Sequence, residues 1–183
     1  MAENNITPSQ HYLDSARFEF KKLKALGDGA FVQIETDDFH YTPDGESNSI
    51  AIIIQHVSGN MISRWTDFLT TDGEKPTRNR DKEFEETRQK KESLIRLWEI
   101  GWKVFNDTLD SLSGDDMMKE MTIRGEKHTV IQAINRQLTH YGYHIGQIVY
   151  LAKHIRSSEW KTLSIARNRS EDFNRKMREI ENE

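Results

Sequence analysis

Cysteine is absent from the 183 residues, which excludes disulfides, thiolate metal sites and a cysteine nucleophile. Proline occurs 3 times and glycine 10 times, too sparsely for a collagen-like or low-complexity chain. No apolar run approaches membrane-spanning length. The opening from Met1 to Gln10 lacks the basic-then-apolar order of a signal peptide. Charge of one sign is scarce too. The net charge is −4 and gives no reason to expect a nucleic acid, whose phosphates need a basic patch. What remains is the expectation of a soluble, cytoplasmic protein without a membrane partner, one domain over 1–183. Its 35% hydrophobic residues suffice for one core if they are arranged in stripes.

Four segments carry such stripes. The first opens at Thr7, Pro8, Ser9 and Gln10. Thr7 suits a cap, Pro8 the first helical position, and Gln10 the far corner of a capping box. Leu13, Ala16, Phe20, Leu23 and Leu26 follow on one helical face, and Gly27 and Gly29 weaken its end. After a polar link with a turn at Pro43, Asp44 and Gly45, a second segment starts near Asn48. Ile50 to Ile54 alone would suit a buried strand, but the apolar face continues through Val57, Met61, Trp65 and Phe68, which favours a helix. The third segment is charged from Asp81 to Glu92, which reads as a solvated face, and then carries Leu94, Trp98, Trp102, Phe105, Leu109 and Leu112. Residues 121–129 read as a small hairpin or loop around Gly125. The fourth helix starts with a capping box, Thr129 and Gln132, and buries Ile131, Ile134, Leu138, Tyr141, Ile145, Ile148 and Ala152. Beyond Ile155 lies an extension, 156–183, with Trp160, Leu163, Ile165 and a last helix from Ser170 to Glu183. Phe173, Met177 and Ile180 share one side of it, and Trp160, Leu163, Ile165 and Phe173 are expected to pack on the chain or on a partner subunit. The pattern predicts an all-α fold, a four-helix bundle over about 7–155. The long first link leaves its connectivity open.

Helical bundles often hold metals on facing side chains. His140 and His144 are four apart in the fourth helix, so both imidazoles lie on one face at the edge of the core stripe. That spacing lets two nitrogens reach one ion, and it equally suits two hydrogen-bonded structural histidines. His56, in the most apolar stretch of the chain, would add a third imidazole from a second helix. Three nitrogens with open positions make a catalytic rather than a structural arrangement. Asn60 and Gln147 could orient a ligand or a bound water, and each taken singly reads more readily as a helix-surface amide. His11, His40, His128 and His154 read as structural or surface residues. A diiron pattern is excluded, because Gln137 and Tyr141 stand where Glu is needed three residues before each histidine.

One histidine in the second helix and His-x-x-x-His in the fourth resemble the DinB/YfiT superfamily of metal-dependent proteins. The likeness is carried by Gln55-His56-Val57-Ser58-Gly59-Asn60 and by His140-Tyr141-Gly142-Tyr143-His144-Ile145-Gly146-Gln147. Trp160 to Ile165, with Asp172-Phe173-Asn174, is similar to the DUF1572 branch. The resemblance implies a four-helix bundle in which His56, His140 and His144 ligate a divalent metal ion, nickel or zinc. Relatives include S-transferases of low-molecular-weight thiols and a mycothiol-dependent isomerase.

Two functions follow as expectations. In the first, the chain is a metal-dependent enzyme, a thiol S-transferase or hydrolase, with a small thiol cosubstrate and an electrophilic small molecule as partners; no general base stands out. In the second, it is a non-catalytic bundle that forms a homodimer or binds a partner through its aromatic helices.

Overall fold

The computed structural model of the chain describes residues 6–180. The ends of the expected 1–183 unit, and the last three residues of the expected C-terminal helix, lie outside the described residues. The described residues are mainly helical: α1 (Pro8–Phe31), α2 (Ile50–Trp65), α3 (Lys91–Ser111), α4 (Val130–Arg156) and the shorter α5 (Ser170–Ile180). Two short strands, β1 (Glu120–Ile123) and β2 (Glu126–Thr129), form an antiparallel hairpin immediately before α4. Arg124 and Gly125 at its tip both have positive φ, 55° and 79°, the geometry of a tight two-residue turn that favours glycine at the second position.

Each long helix starts where local chemistry allows. The Thr7 hydroxyl accepts from Gln10 N, with Pro8 in the first turn. The expected box at α1 is only half formed. The Gln10 side chain instead donates to Asp14 and accepts from Gly114 N, tying α1 to the turn after α3. Ser49 caps α2, and Thr129 with Gln132 completes the capping box of α4. Gly27 and Gly29 do not end α1. A Cβ on Gly27 would meet the Trp98 ring at 2.7 Å, so the missing side chain admits an indole.

α2 packs chiefly along α3 and α1 along α4, and α2 also meets α4. Phe20, Trp65, Trp98, Trp102, Phe105 and Tyr141 are almost fully buried between them. Their rings meet edge-on, as Phe20 and Phe105 do with centroids 4.4 Å apart. No helix among the described residues is long and apolar enough to cross a membrane.

Two expectations are corrected here. Residues 81–90 are not the start of the third helix: Asp81–Phe84 is one 3₁₀ turn, and α3 begins at Lys91. The C-terminal extension divides. Trp160 and Leu163 pack on the core, and the Gln33 side chain bonds both backbone groups of Lys161. Ile165, Phe173, Met177 and Ile180 are exposed, because α5 lies beyond the packed part of the chain.

Candidate metal centre

Burial of α2 is nearly complete, with 14 of its 16 residues buried. Its polar residues therefore need partners inside the protein. Three of them, His56, Asn60 and Arg64, recur at a spacing of four and form one stripe. His56 faces α4, where His140 and His144 lie one turn apart. One ligand atom from each of the three rings falls within 4.8 Å of the other two, a group that could hold a metal ion. The Nε2 atoms of His56 and His140 are 3.2 Å apart. Two nitrogens bound at ordinary ligand distances to one ion sit about 3.0–3.5 Å from each other, so this spacing fits.

The orientation of the rings is fixed from behind. His56 Nδ1 is 3.0 Å from Glu83 Oε2, His140 Nδ1 is 3.2 Å from Gln137 Oε1, and His144 Nδ1 is 2.9 Å from Gln147 Oε1. A carboxylate and two amide oxygens can only accept, so each Nδ1 carries the proton. Each Nε2 is left with its lone pair. Lone pairs of His56 and His140 that face each other at 3.2 Å repel unless a cation lies between them.

The electrostatics agree with neutral rings at His140 and His144. Burial lowers the His140 pKa to about 3, helped by the neighbouring His144 and His56 and by Arg64 and Arg78. Burial likewise lowers His144 to about 4, against the hydrogen bond it donates to Gln147 and with help from His56. Glu83 stays ionised: burial raises its pKa, but hydrogen bonds from His56 and Arg78 outweigh that and hold it below its ordinary value. Arg78 grips both Glu83 oxygens, Nε to Oε1 at 2.7 Å and Nη2 to Oε2 at 2.8 Å.

Glu83 reaches His56 by passing over Gly59. A Cβ on Gly59 would lie 2.8 Å from the Glu83 carboxyl carbon. The loop that carries Glu83 is pinned further by Gln55, whose side chain donates to the carbonyls of Glu83 and Glu85 and accepts from Thr87 and Gln89.

The sequence brings together the three expected histidines. Gln147 accepts from His144 Nδ1; Asn60 does not touch the histidines. Its Oδ1 accepts from the Tyr141 hydroxyl, which in turn accepts from Trp65 Nε1. Glu83 is the residue that the sequence reading missed. It was grouped with a solvated charged face, yet its side chain is 10% exposed. The position of Gln137 three before His140 is evident in the sequence, but its part as acceptor for His140 Nδ1 is not. His40 is structural, with its ring nitrogens at Glu86 and at the carbonyl of Gln89. Tyr143 is exposed.

Beside His56 and His140 a cavity of about 340 Å³ opens, with Asn60, Gln137 and Thr139 on its wall. Its remaining lining is arginine. Residues 7–169 match the family described as protein of unknown function (DUF1572). No curated protein and no solved structure matches the chain.

Proposed function

The chain belongs to the DUF1572 family, whose description assigns no activity, and from its site we propose a metal-dependent enzyme of the DinB/YfiT type. In this reading the chain is one domain built as a four-helix bundle and works in the cytoplasm. His56, His140 and His144 hold one divalent ion, nickel or zinc. Three imidazoles suit both metals. The observation that carries the reading is the convergence of three imidazoles, a ring nitrogen of each within 4.8 Å of the others, whose Nδ1 atoms all face acceptors.

When bound, the ion supplies Lewis acidity and lowers the pKa of a thiol or water in an open position. The chain's own residues do the rest. Glu83, Gln137 and Gln147 fix the tautomer and tilt of each ring. Arg78 holds Glu83 in place. The cavity lining is guanidinium, imidazole, amide and hydroxyl, which suits a nucleophile that loses its proton near neutral pH. A thiol, with an ordinary pKa of about 8.5, is such a nucleophile. The proposed reaction is S-transfer: the sulfur of a small thiol bonds to an electrophilic carbon, whose leaving group departs with the bonding pair. Hydrolysis by water is the neighbouring variant.

The test is metal content. Untagged protein incubated with zinc or nickel and then desalted should retain close to one equivalent. His140→Ala should retain none while its far-ultraviolet circular dichroism stays unchanged. A wild-type protein that emerges metal-free from both incubations overturns the reading.

A second reading, the non-catalytic module, is favoured by the row of Phe173, Met177 and Ile180 on α5, which are 44%, 46% and 66% exposed. Here α5 joins two copies into a homodimer, and the histidine cluster serves stability alone.

A further inference from the structure

Five arginines from four parts of the chain line the cavity beside the histidines: Arg64 on α2, Arg78 and Arg80 on the loop before α3, Arg124 at the hairpin tip and Arg136 on α4. Their counter-charges are few. Glu74 is shared by Arg78 at 3.2 Å and Arg124 at 3.3 Å, and it stands 3.8 Å from Arg64 Nη2. Glu83 is committed to Arg78 and His56. Arg80 lies over the Phe84 ring, 4.8 Å from its centroid. Arg136 makes no side-chain hydrogen bond or ion pair among the described residues and stands close enough to Arg64 to repel it.

Arg64 is the decisive member. It is 3% exposed, and its Nε and Nη1 are buried with no hydrogen-bond partner. A buried guanidinium without a full set of acceptors is costly. The cost is withdrawn when anionic oxygens enter, because the guanidinium fork matches a carboxylate or a phosphate in two parallel hydrogen bonds.

We propose that this cavity binds the anionic group of the substrate, a carboxylate or a phosphate, with Arg64 as its buried anchor and Arg136 and Arg124 closing over it. The inference rests on the metal-centre reading in one respect only: the anion then fixes a small molecule whose reacting end points at His56 and His140. A cavity of about 340 Å³ lies at the small end of ligand sites, so the molecule is of metabolite size. Neutral apolar electrophiles are poor substrates in this picture.

The experiment is calorimetric titration of the full chain at low ionic strength with inorganic phosphate and, separately, with succinate. Both are run on zinc-loaded and on EDTA-treated protein. At least one anion should bind saturably to both forms, and whichever binds more tightly identifies the group. Arg64→Gln should weaken that binding at least about tenfold, the loss of one charge-assisted pair. Arg136→Gln, exposed on α4 and no threat to folding, should weaken it several-fold. Arg175→Gln on α5 should leave it unchanged. Failure of both anions to bind, or binding that Arg136→Gln and a folded Arg64→Gln leave at the wild-type level, overturns the proposal. So does binding that vanishes with the metal, since the ion and not the arginines would then hold the anion. If the chain retains no zinc but the EDTA-treated protein binds an anion through Arg64, the metal reading fails and the anion site stands.

Discussion

The two faces of α2 solve the problem of burial in opposite ways. On the face toward α3, apolar side chains meet at close range. Ser58 lies against Gly101, where a Cβ would be 2.9 Å from its Cα, and Trp65 meets the Phe105 ring at 4.7 Å between centroids. The one unpaired polar atom of α2 on that face is the small hydroxyl of Ser58. On the other face Gln55, His56, Asn60 and Arg64 are just as buried, and each demands hydrogen-bond partners. A loop answers Gln55, Glu83 answers His56, and Tyr141 answers Asn60. Arg64 and the three Nε2 lone pairs receive no full answer from the chain. Burial is thus common to both faces, while the unpaired guanidinium nitrogens and the converging imidazoles lie on one, which carries the candidate site.

This contrast can be broken by substitution, and the largest effect on folding belongs to the dry face. Phe105→Ala, fully buried among four aromatic rings, should cost about 3–5 kcal/mol in urea unfolding. Metal affinity of the protein that remains folded should be unchanged. The polar face should behave in reverse. Glu83→Gln keeps the shape but removes the charge behind His56, and zinc affinity measured by competition with a chelator should fall about 10–100-fold. Its urea midpoint should move less than that of Phe105→Ala.

A pH series separates the faces again. His140 and His144 have folded-state pKa values near 3 and 4, against about 6.5 in the unfolded chain. Above pH 6.5 neither state takes up a proton at these rings. As pH falls from 6.5, the unfolded chain binds protons that the folded chain refuses, so stability declines toward pH 4. For metal-free protein the decline between pH 6.5 and 5, above the carboxylate range, should be about 1 kcal/mol per histidine after allowance for partial exposure. His140→Ala should remove its share, and Phe105→Ala should leave the slope intact. The smallest effect is expected at α5. Ending the chain after Arg169 should hardly move the melting temperature, because Phe173, Met177 and Ile180 are exposed. Sedimentation velocity on the shortened chain distinguishes a surface helix, with the mass unchanged, from a dimer contact, with the mass halved.

Helical periodicity made the dry face of α2, the stripes of α3 and α4, and the capping box at Thr129 legible from the residues alone. It made His140 and His144 neighbours, and the apolar setting of His56 placed that ring inside. Arg64 was within reach of the same argument, since it continues the His56 and Asn60 row by another four residues. Glu83 was not. It sits 27 residues from His56 in a charged stretch without periodicity, and only the path of the loop decides which of those charges is buried. The arginine cavity escaped for the same reason. Its members are spread from Arg64 to Arg136 in a chain of net negative charge, and summed composition hides a local excess of cations. The hairpin tip shows how such distant parts are held. Asp72 accepts from the backbone N–H groups of both Arg124 and Gly125 at 2.8 Å, which fixes where Arg124 can stand.

Gly59 carries a conflict between two selective demands. In the middle of an ordinary helix, glycine is about 1 kcal/mol worse than alanine, and replacing it is a routine route to a more robust protein. At this position the added methyl group would occupy the space through which the Glu83 carboxylate approaches His56. Propensity favours alanine, and ring orientation forbids it. A search for stabilising exchanges guided by helix propensity alone would choose Gly59 early and detach the loop from the histidine it orients, trading the chemistry of the site for a sturdier helix.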